Sequence, residues 1–214
     1  YKVCAYPTLA FIDGNGGMVW RVAGALDVEQ FIALGKKVVD GVEPIQKMYD
    51  TYDSGEYDKK FLYKYLLHCE ETAMPFQDAL EKMVEMMKPE DLLTNKTDFD
   101  VFDKFFGRTD TEFFKTFAGN LDDFKAKYGN DRVNQKYYGM FLQNMKRAAY
   151  NNDQKAFEKN VDEIGNEGGE DIQSEVNNII VYNIMRNKTE EEGYAKISEF
   201  LDQGKPFPPH GLNY

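Results

Sequence analysis

Reactive residues are scarce in this chain of 214 residues. It has two cysteines, Cys4 and Cys69, and two histidines, His68 and His210. The cysteines form neither a Cys-x-x-Cys pair nor a zinc-type spacing. No dithiol chemistry is therefore expected from this chain, no catalytic residue is assigned, and no metal or cofactor is implied. Cys4 reads as a half-buried free thiol. His68 shares a helical segment with Phe61 and Tyr65, and His210 lies in the tail after Pro206-Phe207-Pro208-Pro209, so both histidines read as structural. No run of 18 or more apolar residues occurs, and no membrane span is expected. Basic residues are also in the minority, with 26 Lys and Arg against 37 Asp and Glu and a net charge of −11. Phosphate backbones are bound by clustered Lys and Arg that release counterions, and no uninterrupted basic run is present, which argues against a nucleic-acid partner.

The charge is unevenly placed. Lys2, Arg21, Lys36 and Lys37 balance Asp13, Asp27, Glu29 and Asp40, so the whole net negative charge lies beyond residue 40. Together with the step Gly41-Val42-Glu43-Pro44, this places a boundary near residue 41. Before it, an apolar strand from Thr8 to Asp13 meets the turn Gly14-Asn15-Gly16-Gly17, a second strand runs from Met18 to Val22, and an amphipathic segment extends from Asp27 to about Asp40. The Gly-rich turn joins two strands rather than opening a helix, so a hairpin accounts for it without a phosphate loop.

The run Tyr1-Lys2-Val3-Cys4-Ala5-Tyr6-Pro7-Thr8-Leu9-Ala10-Phe11-Ile12-Asp13-Gly14, with the hairpin and helix after it, resembles the C-terminal half of a thioredoxin-like domain from its cis-proline loop onward. The likeness covers about forty residues. It implies that the half carrying the Cys-x-x-Cys lies upstream. It also implies a cis bond at Tyr6–Pro7, where an X-Pro bond is ordinarily trans. Tyr6 and Pro7 are the only substrate-facing positions that carry over, contacting an extended substrate by strand addition. An open hairpin edge invites another chain. Leu9, Phe11, Val19 and Val22 are thus expected to be covered by the helical part or by a second copy through self-association.

Beyond residue 41 the apolar spacing is helical almost throughout. Faces are formed by Phe61, Leu62, Tyr65, Leu66 and Cys69; by Leu80, Met83, Val84 and Met87; by Phe99, Phe102 and Phe106; and by Phe113, Phe114 and Phe117. Further faces are Val133, Tyr137, Met140, Phe141 and Met145; Phe157, Val161 and Ile164; Ile172, Val176, Ile179, Ile180 and Ile184; and Tyr194, Ile197, Phe200 and Leu201. Thr189 with Glu192 has the form of a capping box. The expected fold is mainly α: a truncated thioredoxin-like hairpin plus helix over residues 1–41, then an α-helical domain over 42–214. Ala79-Leu80-Glu81-Lys82-Met83, Ala156-Phe157-Glu158-Lys159-Asn160 and Tyr194-Ala195-Lys196-Ile197 suggest a faint period, so a tetratricopeptide-like array and an irregular bundle both remain open. All aromatic residues except Tyr1, Tyr6, Phe11, Trp20 and Phe31 lie in this part. Its tyrosines Tyr49, Tyr52, Tyr63, Tyr137, Tyr138 and Tyr182 either pack as core or line a concave surface.

The segment Tyr52-Asp53-Ser54-Gly55-Glu56-Tyr57-Asp58-Lys59-Lys60-Phe61-Leu62-Tyr63-Lys64-Tyr65 is similar to the region following the thioredoxin domain in envelope proteins of Bacteroidetes-type bacteria. That resemblance implies a periplasmic or envelope location. Two functions follow. The full-length protein takes part in thiol–disulfide exchange, with this portion lacking the dithiol, or the chain is a non-catalytic scaffold whose helices recruit an extended peptide or protein partner. Asp171, Glu175 and Glu190-Glu191 read as solvated helix faces rather than acid pairs. The sequons Asn95-Lys96-Thr97 and Asn187-Lys188-Thr189 carry no meaning in a bacterial protein.

Overall fold

The computed structural model describes residues 5–42 and 45–207; Cys4, Glu43, Pro44, Pro208, Pro209 and His210 lie outside the described residues. The chain is mainly α. Strands β1 (Thr8–Ile12) and β2 (Met18–Ala23) precede α1 (Val28–Val39), α2 (Ile45–Ser54), α3 (Lys59–Glu71) and α4 (Gln77–Glu85). After a 3-10 turn at Pro89–Asp91 come α5 (Lys96–Phe105), α6 (Glu112–Gly119), α7 (Leu121–Tyr128), α8 (Asn130–Tyr150), α9 (Gln154–Ile164), α10 (Gly169–Asn187) and α11 (Glu190–Asp202). These elements form two compact units, residues 1–88 and 89–214. The charge step near residue 41 falls within the first unit, where α2 packs on β2 and α3 packs with α4.

In the first unit β1 and β2 are antiparallel, with Leu9 opposite Val22, Phe11 opposite Trp20, and an irregularity between Phe11 and Ile12. The turn is tied by Asp13, whose Oδ1 accepts from the backbone N–H groups of Asn15 and Gly17, each at 2.8 Å. Gly16, at φ 84°, supplies the left-handed step that the turn needs. Strand alternation places Leu9, Phe11, Trp20 and Val22 on one face. There α1 approaches, with Phe31 stacked on Phe11 at 6.5 Å and the Lys37 ammonium 4.3 Å from the Trp20 ring. Val22 is buried, while Leu9, Phe11 and Val19 are half-buried, so the hairpin is covered in part by helices of its own unit. Leu62, Tyr65, Leu66 and Cys69 of α3 and Ala79 and Met83 of α4 are buried around this unit's core. Tyr52 and Tyr65 stack at 4.2 Å, and the Tyr52 hydroxyl donates to Asp78.

The second unit is built on phenylalanine. Phe99, Phe102, Phe117 and Phe124 are fully buried, with Phe117 5.1 Å from Phe102 and 5.0 Å from Phe124, and Tyr128 3.8 Å from Phe99. Each buried ring contributes about 1.5–3 kcal/mol through the apolar area it removes from water. Arg132 of α8 pairs with Asp100 at 3.0 Å and Asp103 at 2.6 Å on α5, and its guanidinium lies 4.9 Å from the Phe99 ring. Helices α8 and α9 pack as one pair and α10 and α11 as the next, with α8 against α10. The pairs alternate a long and a short helix, α8 opening at Asn130 and α10 at Gly169.

Caps fix the helix starts. Asn95, Thr111, Asp153 and Thr189 each accept a backbone N–H at the N-terminus of α5, α6, α9 and α11. At Thr189 the expected reciprocal box takes a different form: the hydroxyl accepts from Glu192 N at 3.1 Å and donates to the Glu192 carboxylate at 2.9 Å. The full box occurs at α1 instead, where Asp27 Oδ1 accepts from Gln30 N at 2.8 Å and Gln30 Oε1 accepts from Asp27 N at 3.1 Å. Both sequon asparagines have structural work: Asn95 caps α5, and Asn187 donates to the Ala149 carbonyl at 3.2 Å. Among the described residues no helix is long and apolar enough to cross a membrane.

Candidate functional site

Tyr6 and Pro7 sit at the entrance to β1, and the bond between them is cis. Both are exposed, Tyr6 at 90 %. The loop is held on either side of them. Thr8 Oγ1 donates to the Ala5 carbonyl at 2.6 Å, and Gly24 N donates to the Pro7 carbonyl at 2.8 Å, joining the start of β1 to the end of β2. The Tyr6 ring is thus presented to solvent from a braced backbone.

Two neighbouring surfaces lack cover. β1 pairs only with β2 among the described residues, so its other edge meets no strand. Helix α1 has an apolar face but no buried residue. Val28 is 74 % exposed, Phe31 48 %, Ile32 49 % and Val39 86 %. Periodicity in the sequence shows that this face is apolar; it carries no information about what lies against it.

Beneath β2 lies a polar cluster that the sequence did not reveal. Arg21, at 2 % exposure, points from the hairpin face opposite Trp20 and hydrogen-bonds the Tyr49 hydroxyl on α2. That hydroxyl is 3.1 Å from His68 Nε2 on α3, and the His68 ring meets Trp20 edge-on at 6.1 Å. Burial, followed by the charge of Arg21, pushes the His68 imidazole down to about 4, so the ring is neutral at pH 7. Burial raises the Cys69 thiol to about 11 and also raises the Tyr49 hydroxyl. The thiolate is the nucleophilic form of cysteine, and burial without sufficient compensating positive charge suppresses it. With Cys69 protonated and wholly buried and His68 uncharged, the cluster joins β2 to α2 and α3 and presents no activated nucleophile. An arginine between Trp20 and Val22 on a strand reads as outward-facing; only the nonlocal approach of Tyr49 makes it a core residue.

Other side chains singled out in the sequence are dispersed. Glu175 pairs with Lys146 at 3.4 Å, and Glu190 and Glu191 lie in the first turn of α11, where negative charge suits the helix dipole. Among the described residues no group of three or more His, Cys, Asp or Glu is placed to hold a metal ion. Tyr49, Tyr52, Tyr63, Tyr137, Tyr138 and Tyr182 are all half-buried. Of these, Tyr137 stacks on Phe114 at 5.8 Å and meets Tyr138 edge-on at 5.1 Å, a packing role at the margin of the core. No protein family, curated protein or solved structure matches the chain.

Proposed function

We propose that residues 1–41 are the closing portion of a thioredoxin-like domain, and that the full-length protein takes part in thiol–disulfide exchange in the bacterial envelope through a Cys-x-x-Cys in the preceding half. The observation that carries this is the pair of uncovered surfaces. The edge of β1 that meets no strand among the described residues accepts one further strand, and the apolar face of α1 is suited to lie under a wider sheet than two strands provide. The half-domain before Tyr1 is the occupant of both. In that arrangement Tyr6 and Pro7 border the dithiol and hold an extended substrate through their backbone.

The test compares this chain with one extended by the preceding half-domain. Amide exchange in β1 and α1 is expected to slow in the longer protein, which reduces insulin disulfides until its first upstream cysteine is changed to serine. Unchanged exchange in β1 and α1 would overturn the domain assignment. Slowed exchange without any upstream Cys-x-x-Cys would instead favour the non-catalytic scaffold that recruits a peptide or protein partner.

A further inference from the structure

We propose that the cleft between the end of α5 and the middle of α8 binds a small multivalent oxyanion, a phosphate or carboxylate compound. The cleft encloses about 470 Å³, and the cations on its lining include Arg132, Lys136 and Arg147. Arg132 is already held by Asp100 and Asp103, so Lys136 and Arg147 are the groups that face a ligand, in a chain whose net charge is −11. The volume is within the range of small-molecule sites.

Three details point to a ligand rather than to packing. Lys136 is 8 % exposed, and its ammonium donates to the carbonyls of Asp103 at 2.7 Å and Phe106 at 2.6 Å. An ammonium has three N–H donors, so one remains for the cleft that Lys136 lines. Arg147 is exposed and forms no ion pair among the described residues, which leaves its planar fork of donors available to an oxyanion. Gly139 lies in the interior of α8, where glycine weakens a helix relative to alanine. A Cβ there would meet nothing within 4 Å, so the missing side chain opens the cleft wall and relieves no clash.

The experiment is calorimetric titration of the chain with inorganic pyrophosphate and with citrate at low ionic strength. Saturable one-site binding of either ion is expected, and the ion preferred assigns phosphate or carboxylate as the recognised group. Arg147→Gln should weaken binding about tenfold, as loss of a charge-assisted hydrogen bond does. Gly139→Leu should fill the cleft and abolish binding while melting no lower than the wild type, since leucine favours the helix. Absence of saturable heat with both ions would overturn the proposal. So would undiminished binding in either variant whose circular dichroism matches the wild type.

Discussion

Lowering the pH should destabilise the first unit through His68, and the size of the effect can be worked from the structure. The imidazole titrates near 4 when folded and near 6.5 in an unfolded chain. Because the folded value is depressed, the unfolded state binds more protons between those values, and stability present above pH 6.5 is lost as pH falls toward 4. Linkage over that interval gives a loss of about 2 kcal/mol between pH 7 and pH 5, where carboxylates are still largely ionised. Trp20 is the only tryptophan and its ring is 6.1 Å from that of His68, so urea unfolding followed by tryptophan fluorescence reports on this unit. His68→Gln retains a hydrogen-bonding group toward Tyr49 but removes the titration. It should therefore flatten most of the stability difference between pH 7 and pH 5. An equal slope in the wild type and the variant would refute the assignment of a neutral, buried His68.

Two further outcomes follow from burial. Phe99→Ala should destabilise the second unit by about 3–5 kcal/mol, the usual cost of emptying a buried phenylalanine site, and chemical denaturation monitored by circular dichroism would show it. A loss under about 1 kcal/mol would mean that the ring is not closely packed. Cys69 should resist alkylation in the native chain and react once urea unfolds it, as read by mass spectrometry of its peptide; native labelling as fast as that of a free thiol would contradict its burial.

The helices were legible wherever large apolar residues recur at three and four positions. Phe99 and Phe102, Phe114 and Phe117, and Met140, Phe141 and Met145 are buried on the faces that their spacing defines. Helix α7 was not legible, because in eight residues only Phe124 is buried and the preceding break is a single residue, Asn120. Tyr194 and Leu201 lie on the apolar spacing of α11 yet are 59 % and 62 % exposed, so only part of that face is used. Hardest to see was the burial of Arg21 and Lys136, whereas the structural reading of His68 agrees with its place on the buried side of α3. Arginine and lysine ordinarily mark a wet surface, and here partners distant in sequence reach them: the Tyr49 hydroxyl bonds Arg21, and the carbonyls at the end of α5 accept from Lys136. The exposed face of α1 shows the converse, since an amphipathic pattern specifies which side is apolar without supplying its cover.

The ends of α1 are secured by its own sequence. Asp27 and Gln30 close a box at its start, Glu29 lies in the first turn, and Lys36 and Lys37 complement the dipole in the last. A helix of 12 residues is marginal alone in water, but the Phe31–Phe11 stack and the Lys37–Trp20 contact tether it to the hairpin. Its apolar face is accordingly preorganised. A surface that docks there meets a helix already formed, and association avoids the roughly 1–2 kcal/mol per residue that ordering a flexible backbone would cost.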